Sequence, residues 1–213
     1  MRVLIVGGGP VRFPQLEQEL ATKPDLVIAA DYGGSYFAKM GIFPHVLMGD
    51  FDSLSKTDLN QLAASPVEVI TFPTHKDYTD LELALDFALA RKPKQVRILG
   101  GLGNRLDHTL GNIGLLLKPL SAKVEAHLLD EFHDIFLLKN SVIKIKNKPG
   151  WALSLIPLSQ KVTGVTTSGL LYPLSNAELN LNSGRGIHNE FSKEIASIQV
   201  NEGTLIIICF REA

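Results

Sequence analysis

The pattern of hydrophobic and polar positions changes near residue 139 of the chain. Before that point, short apolar runs rich in Val and Ile alternate with amphipathic stretches. The runs predict strands, because strands covered on both faces of a parallel sheet are almost continuously hydrophobic. These strands are predicted at residues 2–6, 26–30, 45–48, 67–72, 95–99 and 124–129. The amphipathic stretches predict helices at residues 14–21, 33–40, 56–64, 79–90 and 106–117.

The alternation of strand and helix indicates the fold class of this first part. It favours right-handed βαβ units, and hence an α/β fold with an open, mostly parallel sheet and flanking helices. Such sheets bind ligands beyond the carboxyl ends of their strands. Asp31, Asp50 and residues 100–105 each follow a predicted strand. We therefore expect them at the functional edge of the sheet.

The rest of the chain is patterned differently. Residues 141–146 alternate apolar and polar side chains, and residues 151–157, 195–200 and 204–210 also read as strands. Turn-forming segments separate them and no helical pattern remains, which predicts a small antiparallel β-sandwich or barrel, of which we favour the sandwich. We expect two domains, residues 1–139 and 140–213. The core of the second domain would be small, and the domain alone only marginally stable, so we expect it to pack on the first part or on another subunit.

Composition narrows the function classes. The chain has 213 residues, 45% of them hydrophobic and 20% charged, with a formal net charge of −1. Without a block of Lys and Arg, we expect no nucleic-acid partner. No apolar stretch reaches the roughly 20 residues that a membrane span needs, and the apolar start meets glycine too soon for a secretory signal. The single Cys209 excludes an internal disulfide. We expect a soluble, cytoplasmic protein.

Two acidic motifs are the most informative feature of the chain. Gly49-Asp50-Phe51-Asp52-Ser53 follows an apolar run, and Lys76-Asp77-Tyr78-Thr79-Asp80 begins a helical pattern. Carboxylates this close repel one another, so a cation is needed for them to stay ionised together. Hard oxygen ligands without nearby Cys or paired His suit Mg²⁺, commonly as a bridge to phosphate. A metal-assisted phosphate enzyme is the resulting hypothesis.

Each acidic motif also has a structural interpretation. Asp50 and Asp52 share one side of an extended chain and can converge on a cation, but an Asx-type turn would use the same residues. Thr79-x-x-Glu82 is a capping box. Negative charge is favoured near a helix N-terminus, which accounts for Asp77 and Asp80 without a metal. Asp80 can serve both purposes if the helix begins at the cleft.

Two glycine segments suggest phosphate binding. In Gly7-Gly8-Gly9-Pro10 the dinucleotide fingerprint would require glycine at position 12, where the chain has Arg12. A tight turn explains these glycines equally well, and a dinucleotide oxidoreductase is the least favoured enzyme class. A phosphate can still bind the backbone amides there.

The segment Gly100-Gly101-Leu102-Gly103-Asn104-Arg105-Leu106-Asp107-His108 joins a predicted strand to a predicted helix. Its glycines permit close approach to phosphate, and Arg105 supplies a charged fork. Asp107 is a candidate ligand or base, and His108 a candidate hydrogen-bonding or proton-carrying group. Alternatively, Asp107 is an N-cap and His108 a half-buried helix residue.

Taken in order, these motifs resemble the thiamine pyrophosphokinase family. The resemblance covers nearly the whole chain. It rests on residues 30–34, 49–53, 76–84, 105–108 with Asn112, 166–174 and 189–191.

The resemblance implies a nucleotide- and Mg²⁺-binding catalytic domain over residues 1–139 and a thiamine-binding sandwich over residues 140–213. It implies a homodimer with active sites between subunits. The implied reaction transfers the pyrophosphoryl group of ATP to the thiamine hydroxyl and releases AMP, with Mg²⁺ as cofactor. The matching metal ligands are Asp50, Asp52 and Asp80.

Further roles follow from the same resemblance. The catalytic group comprises Asp52, Asp80, Arg105 and Asp107. The nucleotide-binding group comprises Asp31, Gly33, Lys76, Asp77, Arg105 and His108. The thiamine-binding group comprises Tyr172, His188 and Asn189. Two departures concern the thiamine pocket, because Tyr172 replaces a frequent Trp and His188 replaces a small hydroxyl residue.

Two other function classes remain open from the residues alone. A metal-dependent phosphohydrolase or nucleotidyltransferase also uses acidic clusters and a phosphate loop. A non-catalytic nucleotide- or vitamin-binding module would bind without turnover, but it would leave the clustered carboxylates without a purpose.

Overall fold

The computed structural model describes residues 1–211, and contacts divide the chain into two compact units that meet between Glu131 and Phe132 in sequence. The first unit contains, in chain order, β1 (Arg2–Val6), α1 (Phe13–Ala21), β2 (Leu26–Ala30), α2 (Gly33–Met40), β3 (Val46–Gly49), α3 (Lys56–Ala63), β4 (Glu68–Thr71), α4 (Asp80–Leu89), β5 (Gln95–Leu99), α5 (Leu106–Leu115), α6 (Leu117–Ser121) and β6 (Glu125–Leu129).

The strands of the first unit form a parallel sheet in the order β6-β5-β1-β2-β3-β4. This confirms the predicted parallel α/β fold. Apart from the largely exposed edge strand β4, the strands are mostly buried, and their side chains form a core with those of the flanking helices, including Leu4, Leu16, Ala29 and Phe37. From β1 the chain proceeds to β2 on one side and later returns to β5 on the other. Ligands bind such sheets where the strand order reverses, which here is beyond the carboxyl ends of β1 and β5.

Local chemistry sets the helix boundaries. The Thr79 hydroxyl accepts a hydrogen bond from the Glu82 amide at 3.2 Å and caps α4, so the predicted N-cap at Thr79 is confirmed. The Glu82 carboxylate pairs with Lys118. The predicted single helix over residues 106–117 is instead α5 followed by the short α6, with Leu116 between them. Pro119 explains the break, because its ring would clash with the carbonyl of residue 115 in a continuous helix.

The second unit consists of two antiparallel sheets. Its strands are β7 (His133–Lys139), β8 (Val142–Lys146), β9 (Trp151–Pro157), β10 (Lys161–Ser168), β11 (Ala177–Asn180), β12 (Asn189–Glu190), β13 (Ile195–Gln199) and β14 (Thr204–Arg211). One sheet has the order β12-β9-β14-β7 and the other β11-β10-β13-β8. Their apolar faces share one core that includes Leu153, Val165, Ile198 and Ile207. The predicted antiparallel sandwich is confirmed.

Two long strands of this unit have no clear sequence pattern. β7 begins with His133 and Asp134, which are polar. In β10 the register shifts between Val162 and Val165, and the intervening Gly164 has φ 66°. Such a bulge interrupts the alternation of inward and outward side chains from which strands are recognised. The assignment of separate functions to residues 1–139 and 140–213 stays a prediction.

Within residues 1–211, no helix combines the length and the apolar character that crossing a membrane would require.

Candidate active site

A cleft of about 930 Å³ opens at the carboxyl ends of β1, β2 and β5, within the first unit. This is the sheet edge where the sequence placed Asp31 and the glycine segment 100–105. The cleft is lined by Gly8, Gly9, Pro10, Ala30, Asp31, Tyr32, Asp52, Ser53, Thr79, Asp80, Leu81, Gly100, Gly101, Leu102, Gly103, Asn104, Arg105, His108, Thr109 and Asn112.

Two glycine turns pack against each other in the wall of the cleft. The Gly9 amide donates to the Gly100 carbonyl at 2.8 Å, and a Cβ atom on Gly9 would lie only 2.6 Å from that oxygen. On the other side, the buried Asn112 side chain donates to the Gly101 carbonyl at 2.7 Å. The two turns therefore hold each other in place beside the cleft.

Tyr36, on α2, fixes the first glycine turn. Its hydroxyl donates to the Gly9 carbonyl at 2.8 Å and accepts from the Val11 amide at 3.2 Å. The ring is half-buried and makes edge contacts with Phe13 and Tyr32. Sequence reasoning missed this residue, because an aromatic side chain on a helix usually indicates core packing.

Three carboxylates converge beside the cleft. One carboxylate oxygen from each of Asp31, Asp50 and Asp52 lies within 4.8 Å of the other two. The Ser53 hydroxyl donates to Asp31 Oδ2 at 2.5 Å, whereas Asp31 Oδ1 is buried without a hydrogen-bond partner. Asp50 Oδ1 also accepts from the Asp52 amide at 3.3 Å, so the turn interaction and the clustering of carboxylates occur together.

The backbone around these carboxylates is strained. Asp31 has φ 48° and Phe51 has φ 62°, values that L-residues adopt rarely. Gly49 makes the close approach possible, because a Cβ atom there would lie 3.0 Å from the Asp31 Cα. Strained conformations of this kind persist where the surrounding structure dictates them, commonly at functional sites.

Lys76 connects the two acidic motifs. Its Nζ donates to Asp50 Oδ2 at 2.8 Å and lies 3.1 Å from Asp80 Oδ1, the latter an ion-pair contact without directed hydrogen-bond geometry. The ammonium lowers the pKa of Asp50. Burial raises the pKa of Asp80 in spite of Lys76. The Asp50 charge raises the pKa of Asp52.

The donor set fits a hard divalent cation. It offers carboxylate oxygens alone, one of them buried and without a partner, and oxygen ligands are those that Mg²⁺ prefers. The grouping differs in one member from the predicted ligands Asp50, Asp52 and Asp80. Asp31 joins the first two, while Asp80 contacts Lys76.

Arg105 and Asp107 form an exposed two-point ion pair. Arg105 Nε and Nη2 donate to the two carboxylate oxygens of Asp107 at 2.9 and 2.6 Å. This pairing holds the pKa of Asp107 far below its ordinary value. A carboxylate so stabilised is a weak base. Arg105 and His108 line the cleft, and Asp107 is outside the set of lining residues.

The other residues predicted to bind nucleotide lie around this site. Gly33 is the buried first residue of α2. Asp77 is exposed and is not among the cleft-lining residues. Ser53 and Asn112 contact the site directly but were absent from the predicted groups. Their positions next to Asp52 and one helical turn after His108 are the sequence features that could have indicated them.

In the second unit, Asn189 holds the backbone of Tyr172. The buried Asn189 side chain donates to the Tyr172 carbonyl at 2.7 Å and accepts from its amide at 3.0 Å. The Tyr172 side chain is 64% exposed. His188 has φ 56° and makes an edge contact with the ring of Phe210. Asn189 therefore presents Tyr172, and its own amide group is already used.

Comparisons with known proteins agree with this arrangement. Sequence profiles match for the thiamin pyrophosphokinase catalytic domain over residues 17–128 and for its vitamin B1 binding domain over residues 140–205. Thiamine pyrophosphokinase of Bacillus subtilis is 32% identical over 205 residues, 96% of each chain. Thiamin pyrophosphokinase 1 of Caenorhabditis elegans is 27% identical over 208 residues, 92% of this chain and 82% of the relative.

Solved structures show the same relationship. The crystal structure of thiamine pyrophosphokinase from Bacillus subtilis superposes with a TM-score of 0.91 at 31% identity, covering 100% of both chains. The enzyme from Geobacillus thermodenitrificans gives 0.88 at 29% identity, covering 100% of this chain and 99% of that one. The resemblance seen in the motifs is thus confirmed in both units and along the full length, and the chain belongs to the thiamine pyrophosphokinase family of transferases.

Proposed function

We propose that this chain transfers the pyrophosphoryl group of ATP to the hydroxyl of thiamine and releases thiamine diphosphate and AMP. The supporting observation is the cleft of the first unit, in which two glycine turns adjoin the carboxylates of Asp31, Asp50 and Asp52. The glycine turns suit phosphate and the carboxylates suit a divalent cation. The family to which the chain belongs supplies the expected acceptor, thiamine.

ATP is the proposed occupant of this cleft. Its volume of about 930 Å³ lies within the range of small-molecule sites. Backbone amides of the glycine turns after β1 and β5 are the proposed donors to the polyphosphate, as at other strand–helix turns. Arg105 and His108 add cationic and hydrogen-bonding groups at the rim. We propose that Asp107 orients the Arg105 guanidinium, because their two-point pair fixes its plane.

Mg²⁺ is the proposed cofactor of the carboxylate cluster. Asp50 and Asp52 would hold it, with Asp31 or the predicted Asp80 as a further ligand. When bound, Mg²⁺ offsets the negative charge of the phosphates during transfer. The residues themselves position the reactants, which accounts for most of the rate enhancement in phosphoryl transfer.

Thiamine is the proposed ligand of the second unit. The exposed ring of Tyr172 offers a π face to the cationic thiazolium or to the pyrimidine, an attraction worth about 0.5–2 kcal/mol. Asn189 contributes by holding the Tyr172 backbone, and His188 lies next to it in sequence. These residues lie within residues 140–205, the range that matches the profile of the vitamin B1 binding domain.

We also propose a homodimer with active sites between subunits, located in the cytoplasm. Exposed large apolar residues on both units support the dimer, among them Leu106, Leu110, Tyr172 and Ile187. A second copy of the chain would remove such residues from water. Sedimentation equilibrium tests this proposal, and a single monomeric species at micromolar concentration would contradict it.

Product analysis tests the reaction. The protein is incubated with ATP, Mg²⁺ and thiamine, and each component is omitted in turn. Equal amounts of AMP and thiamine diphosphate, formed only in the complete mixture, would support pyrophosphoryl transfer. ADP with thiamine monophosphate would indicate a simple kinase, and ATP hydrolysis indifferent to thiamine would indicate a phosphohydrolase. Either result would overturn the proposal.

A further inference from the structure

The amine of Lys76 is held on three sides within the acidic site. Besides Asp50 Oδ2 at 2.8 Å and Asp80 Oδ1 at 3.1 Å, its Nζ donates to the Pro73 carbonyl at 3.2 Å. Two of the three donors of the ammonium group therefore make hydrogen bonds, and its charge also pairs with Asp80. The Lys76 side chain is 13% exposed and that of Asp50 is 9% exposed. Lys76 is therefore enclosed rather than extended into solvent.

The position of this amine creates a conflict with a metal ion. Asp50 is both the partner of Lys76 and a member of the three-carboxylate cluster. A divalent cation bound to Asp50 would lie beside the ammonium, and like charges at such short separation repel strongly where water is largely excluded. The contacts of Lys76 with Asp50 and Asp80 outweigh its burial and raise its pKa.

We propose that Lys76 is an internal competitor of the divalent cation, occupying Asp50 and Asp80 until metal and nucleotide enter together. The displaced ammonium then pairs with an oxygen of the polyphosphate. This inference rests on the proposed function, because it assumes that the anion arriving with the metal is a nucleotide polyphosphate.

Cooperative binding is the consequence. A metal ion alone must displace Lys76 without offering it a new partner, so its apparent affinity is reduced in proportion to the fraction of time that Lys76 leaves the site open. A polyphosphate gives the ammonium a new partner and removes that penalty. Metal and nucleotide therefore favour each other's binding by the same factor.

Lys118 provides a matched control within the first unit. Its Nζ also bridges two carboxylates, lying 2.8 Å from Glu82 and 2.7 Å from Asp86. These three residues are not among those that line the cleft. Lys118→Met and Lys76→Met change the net charge equally and each leaves a pair of carboxylates without its lysine. Only Lys76→Met does so at the cluster of Asp31, Asp50 and Asp52.

The test measures Mn²⁺ binding to the nucleotide-free chain by electron paramagnetic resonance, with Lys76→Gln as a second variant. If Lys76 occupies the site about nine-tenths of the time, both Lys76 variants bind Mn²⁺ about tenfold more tightly than the unchanged chain. Lys118→Met should bind within about twofold of it. Unchanged or weaker binding by the Lys76 variants, or an equal gain in Lys118→Met, would overturn the proposal.

A second measurement needs no substitution. Acetic anhydride labels exposed amines, and mass spectrometry gives the rate at each lysine. Saturating Mn²⁺ should accelerate labelling of Lys76 and leave that of Lys118 unchanged, because the metal releases only the former from its carboxylates. An unaltered Lys76 rate at a Mn²⁺ concentration that fills the site would refute displacement.

These results are separable from the proposed function. Failure of pyrophosphoryl transfer with a tenfold gain in Mn²⁺ binding would leave competition at the site intact and change the reaction assigned to it. Successful transfer without that gain would remove only the competitor role of Lys76.

Discussion

Tyr36→Phe tests whether one phenolic hydroxyl maintains the first glycine turn, which we propose binds the nucleotide. The substitution keeps the ring and its contacts but removes the hydrogen bonds to the Gly9 carbonyl and the Val11 amide. Each such bond contributes about 0.5–1.5 kcal/mol net. Because the ring is half-buried and water can replace part of the loss, we expect about 1–2 kcal/mol for the pair. If the whole of this free energy is lost from the ordered conformation of the turn, to which the nucleotide would bind, the Kd of the nucleotide rises about 5- to 30-fold.

The assay is calorimetric binding of α,β-methylene ATP with Mg²⁺, since this analogue resists cleavage of the bond that the reaction breaks. Hydrogen exchange supplies a local readout, and the Val11 amide should exchange faster in Tyr36→Phe. Ser65→Ala is the control, because it loses a half-buried hydroxyl-to-carbonyl bond to Leu62 away from the cleft. A nucleotide Kd within about twofold of the unchanged chain, with Val11 exchanging as before, would refute the reasoning.

Three further substitutions test other parts of the site. Asp52→Asn should retain the fold, because Asp52 is exposed, and should lower turnover at least about a hundredfold by weakening the proposed metal site. Near-normal turnover at saturating Mg²⁺ would show that Asp52 is not a metal ligand. Gly9→Ala should abolish nucleotide binding in a folded chain, since its Cβ would meet the Gly100 carbonyl at 2.6 Å; calorimetry showing unchanged affinity would contradict the close packing. Asn189→Ala should raise the KM for thiamine about tenfold, as two bonds to the Tyr172 backbone are lost, with the KM for ATP unchanged; an equal rise in both would indicate a damaged sandwich.

The parts of the fold that sequence predicted well are those buried on both faces. β1, β2 and β5 begin and end where the strands were predicted, because a sheet covered on both faces requires apolar side chains at most positions of each strand. Arg97 inside β5 is an exception, and it pairs with Glu19. β10 was missed because half of its side chains face solvent and a bulge at Gly164 interrupts their alternation. Position in the sheet, rather than propensity, therefore decided which strands could be recognised.

The candidate site was also predictable in part, where its residues directly follow buried strands. Asp31 and Asp50 follow buried strands, so the rule that ligands bind at the carboxyl edge located them from the sequence alone. The position of Asp31 beside Asp50 and Asp52 depends on its left-handed backbone and on its close approach to Gly49. Neither feature is encoded in the spacing of the acidic motifs.

Electrostatics adds a constraint that motifs do not show. Asp31, Asp50, Asp52 and Asp80 bring four carboxylates to one edge of the sheet, a distribution that destabilises the folded chain unless cations offset it. Lys76 supplies one positive charge, and the lowered pKa of Asp50 beside the raised pKa of Asp52 shows that this charge is unequally shared. The remaining negative charge suits a divalent cation, and under our proposal Lys76 would limit the binding of that cation in the absence of an anion. Under our proposal, Lys76 offsets the charge of these acids in the metal-free chain and pairs with the polyphosphate once the metal is bound, so the lysine belongs to the site and not merely to its surroundings.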